Sequence, residues 1–223
     1  MANTIIFGND LNKGNYADTG TIGWNATDKV VWGNTAGDSF TFASPEWYTA
    51  QIGNQAWTFN GGGGVDTLSF STYPAATFNL ARLNFTTTNQ AYSVVGTSLD
   101  DTFQWDGTGI TQANNGMALN GGLGTDTLSL TGAGANPLYT LANIALTNVE
   151  FIAGSAANDN VVWNGVGSYT FDLAVGADTL DVSGKTTAGG MNISLTDARY
   201  TNIEMVVGTT MADRLAGADA AET

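Results

Sequence analysis

Apolar and polar residues alternate along short stretches of this chain. Leu68 and Phe70 flank Ser69, and Leu128 and Leu130 flank Ser129. A period of two is that of a strand with one face turned to a core. Such stretches are soon closed by Gly, Asn or Asp, so the pattern predicts short strands joined by tight turns. The segment Leu141-Ala-Asn-Ile-Ala-Leu146 can be read as a helical fragment, but Asn, Thr and Gly close it off quickly, and little helix is expected. The predicted interior contains Leu68, Phe70, Phe103, Leu128, Leu130, Val161, Trp163, Leu180 and Leu215. Trp105 and Trp163 follow a turn aspartate by four residues and share the parity of the apolar positions, which places both in the core.

The turns repeat. Residues 61–69 read Gly-Gly-Gly-Gly-Val-Asp-Thr-Leu-Ser, and residues 121–129 read Gly-Gly-Leu-Gly-Thr-Asp-Thr-Leu-Ser. Looser copies keep Gly first, Asp sixth and an apolar residue eighth. They run from Gly96 to Asp101 and Phe103, from Gly154 to Asp159 and Val161, and from Gly208 to Asp213 and Leu215. Two more begin at Gly23 and Gly33, and a degenerate one runs from Leu173 through Gly176 and Asp178 to Leu180. A larger period is visible between Asp66, Asp126 and Asp178, which lie 60 and 52 residues apart. Each unit ends on a phrase such as Asn148-Val-Glu-Phe-Ile-Ala-Gly154 or Asn202-Ile-Glu-Met-Val-Val-Gly208. A period near 55 suggests three solenoid coils of roughly 18 residues.

The nonapeptide G-G-x-G-x-D-x-U-x, with U apolar, resembles the repeat of the RTX (repeat-in-toxin, hemolysin-type) calcium-binding family. The resemblance implies a right-handed parallel β-solenoid in which calcium sits between turns one coil apart. Carried over residue by residue, it makes Asp66 and Asp126 ligand aspartates, with Asp101, Asp159, Asp178 and Asp213 in the looser copies. Gly61, Gly62 and Gly64, and Gly121, Gly122 and Gly124, match the turn glycines. Family arrays stack many nonapeptides in succession, whereas the two fullest copies here stand 60 residues apart. The turns starting at 154 and 173 are nearly one coil apart, so Asp159 and Asp178 are best placed to share an ion, with Asn158 adding an oxygen. A second reading of the same aspartates stays open: an Asp in a Gly-rich turn commonly caps its own backbone.

Composition narrows the function classes. Twenty acids against six bases give a net charge of −14, which disfavours nucleic acid and anionic membrane and suits divalent cations. Only 12% of residues are charged, as expected of short strands and polar turns. There is no Cys and no His, which removes disulfides, thiolate sites and the commonest general base. No apolar run reaches membrane-spanning length, and the first twenty residues carry neither the basic nor the apolar region of a secretory signal. The RTX resemblance implies export by a type I system, and hence an extracellular or cell-surface location.

Catalysis finds little support. The carboxylates are scattered over turns, and Gly61–Gly64 lacks the Lys and Ser/Thr of a phosphate loop. The pair Asp100-Asp101 could serve acid–base work on a polysaccharide, but a turn carboxylate explains it more simply. Trp47-Tyr48 or Trp57, if exposed, could stack on sugar rings. An outward Thr ladder would suit ice, but Thr67, Thr102, Thr127 and Thr179 recur only once per turn.

The sequence is therefore read as an all-β chain forming one solenoid domain over residues 1–223, and not an enzyme. Residues 1–55 form an N-terminal cap with atypical turns, and 56–223 hold three degenerate units. The segment Asp213–Thr223 stops inside another turn, so the chain is expected to be a piece of a longer protein, or to self-associate through its C-terminal face. The expected function is that of a calcium-binding structural module of an S-layer, adhesin or matrix protein. The alternative is a carbohydrate-binding or accessory module of a secreted polysaccharide-active enzyme, with a surface polysaccharide as partner.

Overall fold

Strands Thr102–Trp105, Met117–Asn120 and Thr127–Leu130 bury alternate positions, which sets the architecture. The computed structural model describes strands and short pieces within 4–85, then residues 91–107, 117–132, 134–185 and 188–217. The described residues contain no α-helix; a 3-10 turn, Leu141–Asn143, falls where the helical fragment was considered. The chain is a parallel β-solenoid, and it divides into two compact units.

The first unit comprises residues 1–104, 108–126 and 143–148. Its six-stranded sheet is ordered β1 (Thr4–Phe7), β5 (Ser39–Phe42), β7 (Val65–Ser69), β10 (Ala91–Val95), β12 (Met117–Asn120) and β15 (Ile144–Thr147), every pair parallel. A five-stranded sheet runs β2 (Asn15–Asp18), β3 (Ile22–Asn25), β4 (Val30–Trp32), β6 (Trp57–Asn60) and β9 (Leu83–Phe85). Within it β2–β3 and β3–β4 are antiparallel, and among the described residues antiparallel pairing is confined to this N-terminal stretch. A further parallel pair joins β8 (Thr77–Asn79) to β11 (Thr102–Trp105). The inner column Phe40, Leu68, Val94 and Leu119 is held in register and buried, beside Phe70, Phe78 and Phe103, whose rings follow one another at 4.3 and 5.3 Å.

The second unit comprises residues 105–107, 127–142 and 149–223. Four strands stack as β13 (Thr127–Leu130), β16 (Phe151–Ala153), β18 (Thr170–Asp172) and β21 (Tyr200–Thr201). Four more stack as β14 (Leu138–Thr140), β17 (Asn160–Val162), β19 (Thr179–Asp181) and β22 (Met205–Val207), and β20 (Asn192–Ser194) pairs with β23 (Arg214–Ala216). All are parallel. Trp105 packs edge-on to Tyr139 at 5.6 Å, and Trp163 against Phe171 at 5.2 Å, so both tryptophans are core residues as the repeat position required. Burying an aromatic or leucine side chain stabilises by about 1.5–3 kcal/mol, and these columns supply the cohesion that the sparse surface charge does not.

Two expectations are corrected. Leu215 is not interior but 43% exposed, because no described strand lies beyond β23 to cover it. Nor is a coil 18 residues long. Bonds between successive coils join residues 25 apart at Asp101–Asp126, 19 apart at Asp159–Asp178 and 26 apart at Asp178–Glu204. Repeats of 52 to 60 residues are therefore not three equal coils, and the motif copies fall in different sheets. Asp66 lies inside β7, Asp126 directly precedes β13, and Asp178 directly precedes β19. Loop lengths between strands vary, so sequence period and structural period run out of phase.

Candidate functional site: the carboxylate turns

Three of the looser motif copies build one and the same turn. In Gly96–Asp101, Asp101 Oδ2 accepts the Thr97 N–H at 2.6 Å, and Oδ1 accepts the Thr97 hydroxyl at 3.1 Å. In Gly154–Asp159, Asp159 takes the Ser155 N–H and hydroxyl at 2.6 and 2.9 Å. In Gly208–Asp213, Asp213 takes the Thr209 N–H and hydroxyl at 2.6 and 2.9 Å. The hydroxyl oxygen in turn accepts the N–H two residues on: Leu99, Ala157 and Met211. The aspartate thus closes its own turn, with both oxygens spent on local donors. Thr97, Ser155 and Thr209 were not singled out in the sequence, although Ser or Thr directly after the first Gly of all three copies was the available signal.

A second set of bonds ties one coil to the next. The Asp101 N–H donates to Asp126 Oδ1 at 2.7 Å, while the Thr125 N–H donates back to Asp100 Oδ1 at 2.8 Å. In the second unit the Asp159 N–H donates to Asp178 Oδ1 at 2.6 Å, and the Ala177 N–H donates back to Asn158 Oδ1 at 2.9 Å. Adjacent motif positions five and six thus form a reciprocal clasp between coils. The same logic continues where the Asp178 N–H donates to Glu204 Oε2 at 2.7 Å and the Met191 N–H to Asp213 Oδ1 at 2.7 Å. Asp66, Asp101, Asp126, Asp159 and Asp178 are all buried; a buried carboxylate is tolerable when backbone donors surround it.

The glycines have a matching role. Gly122 and Gly124 hold φ of +112° and +115°, and a Cβ on Gly122 would run into the Thr97 carbonyl of the neighbouring turn. Gly62 and Gly64, with Gly61, lie outside the described residues. So do Trp47 and Tyr48, and of Trp57 only the strand is described. The Asn-x-Glu phrase proves to be a corner. Asn148 and Asn202 hold φ of +50° and +54°, and each donates its side-chain amide to a side chain about one coil back, Asn120 and Asp172. The following Val149 and Ile203 are buried, and Glu204 then fills the aspartate's place in the clasp.

Calcium takes six to eight oxygens. Among the described residues no group of three or more acidic side chains converges on one point. Asp101, Asp159 and Asp213 are engaged by their own turns, so they fit a ligand role poorly without rearrangement. Asp178 is different. It has no Ser or Thr partner in its turn, and its Oδ2 is buried with no hydrogen-bond partner. Burial first, then the charges of Asp159 and Glu204, raise its pKa above the ordinary 3.8, while the Asp159 N–H works the other way. Asp213, by contrast, is held below 3.8 chiefly by the Met191 N–H. The rung Asp159–Asp178–Glu204 is therefore a place where a cation would relieve an existing electrostatic cost.

Against family models, curated proteins and solved structures, the chain has no match.

Proposed function

We propose that this chain is an extracellular structural module, a stiff spacer of the kind an S-layer, adhesin or matrix protein uses, and that calcium reinforces it at the Asp178 turn. The observation that carries the reading is Asp178 Oδ2, an orphaned carboxylate oxygen buried between two further acids one coil to either side. A divalent ion there would draw on Asp178 and Glu204, with turn carbonyls completing the shell. The other turn carboxylates support the structural half of the reading by clasping one coil to the next. An acidic exterior favours an extracellular, calcium-rich setting over contact with nucleic acid.

The test is thermal unfolding with excess calcium and with a chelator. A ligand that binds only the folded state stabilises by about 2.7 kcal/mol at a hundredfold excess over its Kd. The melting temperature should rise with calcium, and Asp178→Asn should abolish most of that rise while Asp172→Asn leaves it. Identical melting in calcium and chelator would remove the ion and leave the hydrogen-bonded clasp as the whole function of these carboxylates.

A further inference from the structure

Burial in the second unit stops at one end. Tyr139, Val161, Leu180 and Val206 stand in register; the first three are completely buried, whereas Val206 is only partly covered. Ile193 is 1% exposed, and its register partner Leu215 is 43% exposed. Each inner side chain is covered by the strand that follows it, and no described strand follows these two. β22 and β23 are edge strands, and an open cavity of about 310 Å³ lies beside them, lined by Ile193, Leu195, Glu204, Val206, Leu215 and Ala216.

The backbone carries the same gap. Asp101, Asp159 and Asp178 each give their N–H to a carboxylate on the next coil. Asp213 directly precedes the last described strand, and its N–H meets no such carboxylate among the described residues. Lys185 acts electrostatically on Asp213, and Arg214 adjoins it, so two of the chain's six bases gather at this turn. This end therefore continues the inter-coil interface in three respects: an apolar surface, a strand edge and a donor awaiting an acid.

We infer that this end is a receptor for one further parallel strand, an extended segment reading acidic–x–apolar. Its carboxylate takes the Asp213 N–H, its backbone extends the sheet beyond β23, and its apolar side chain closes over Leu215. The inference deepens the structural-module reading by naming what the module joins to, and it requires no calcium.

The probe is a labelled synthetic peptide, Gly-Thr-Asp-Thr-Leu-Ser-Leu-Thr, copied from residues 124–131, titrated with the full chain in chelator and followed by fluorescence anisotropy. Saturable binding is expected, weakened at least about tenfold by Leu215→Glu in the chain and by Asp126→Ala in the peptide. Leu215 is exposed, so an unchanged melting temperature verifies that its variant is folded. Val206→Lys gives a second, independent lesion of the same surface. Equal binding by a scrambled peptide, or by both chain variants, overturns the inference, as does no binding at millimolar peptide. Sedimentation of the chain alone gives the remaining outcome: self-association abolished by Leu215→Glu makes a second copy the occupant and overturns the strand reading. A peptide that fails while calcium still raises the melting temperature sinks this inference alone. A peptide that binds while calcium has no effect sinks only the calcium reading.

Discussion

The turns Gly154–Asp159 and Leu173–Asp178 lie one above the other in the second unit and look alike in outline, yet they solve the same problem differently. The first opens on a glycine whose missing Cβ leaves room for the Leu173 backbone, and its aspartate is satisfied by Ser155. The second has no hydroxyl to satisfy Asp178, and it turns through Ala174 at a φ of +68°, a conformation that an L side chain rarely adopts. The one turn is locally complete. The other depends on its neighbours, receiving the Asp159 N–H and sending its own N–H to Glu204. A carboxylate that closes its own loop is structure. One left with a buried, unpartnered oxygen is a place for chemistry, because its cost has not been met locally.

The largest way to break this contrast is Gly154→Ala. A Cβ there collides with backbone atoms of Leu173, which cannot swing aside as a side chain would. A loss of about 3 kcal/mol or more is expected in chemical denaturation. Gly134→Ala, with nothing within 4 Å of the added carbon, should be close to neutral and serves as the control. Next in size is Asp159→Ala, which strands the Ser155 N–H and hydroxyl in a partly buried turn; the expected cost is about 2 kcal/mol by the same measurement.

Asp178 should respond to pH in the opposite sense from Asp213. Its folded pKa lies above the ordinary 3.8, so its contribution is full below that value and is lost as pH rises through the folded one. Calcium-free protein should therefore lose a stability increment as pH climbs from 3.8 upward, and Asp178→Asn should flatten that decline. Asp213 is lowered, so its contribution is present above 3.8 and fades as pH falls through its folded value. Denaturant midpoints against pH, in chelator, separate the two. An unchanged pH profile in Asp178→Asn would count against its distinct role. The smallest effect is a gain: Ala174→Gly relieves the left-handed backbone, and a rise of about 0.5 kcal/mol should remain after glycine's added chain entropy.

Much of the fold was legible because strand period and turn chemistry are local. The alternation at Leu68–Phe70 and Leu128–Leu130 located inner faces correctly, and Trp105 and Trp163 followed from parity alone. The pairing of Asp159 with Asp178 was legible too, since their spacing of 19 residues is one short coil. The partners Thr97, Ser155 and Thr209 are as near in sequence, but a hydroxyl beside a glycine is common in turns, and only the folded turn brings it onto the aspartate.

The chain itself determined that short strands would alternate with Gly- and Asp-rich turns, and which side chains would face inward, because each depends on residues two to six apart. Only the tertiary structure decided the length of each coil, which copies of the motif would meet, and that the last apolar pair would be left uncovered. Those outcomes hang on the summed lengths of loops between strands. A change of one residue in such a loop shifts register and turns a strand's faces over. The sixth-position Asp can thus end as a closed turn at Asp159, where Ser155 follows the glycine, or, a coil away at Asp178, where Ala174 stands in that place, with one oxygen bonded across the coils and the other buried without a partner.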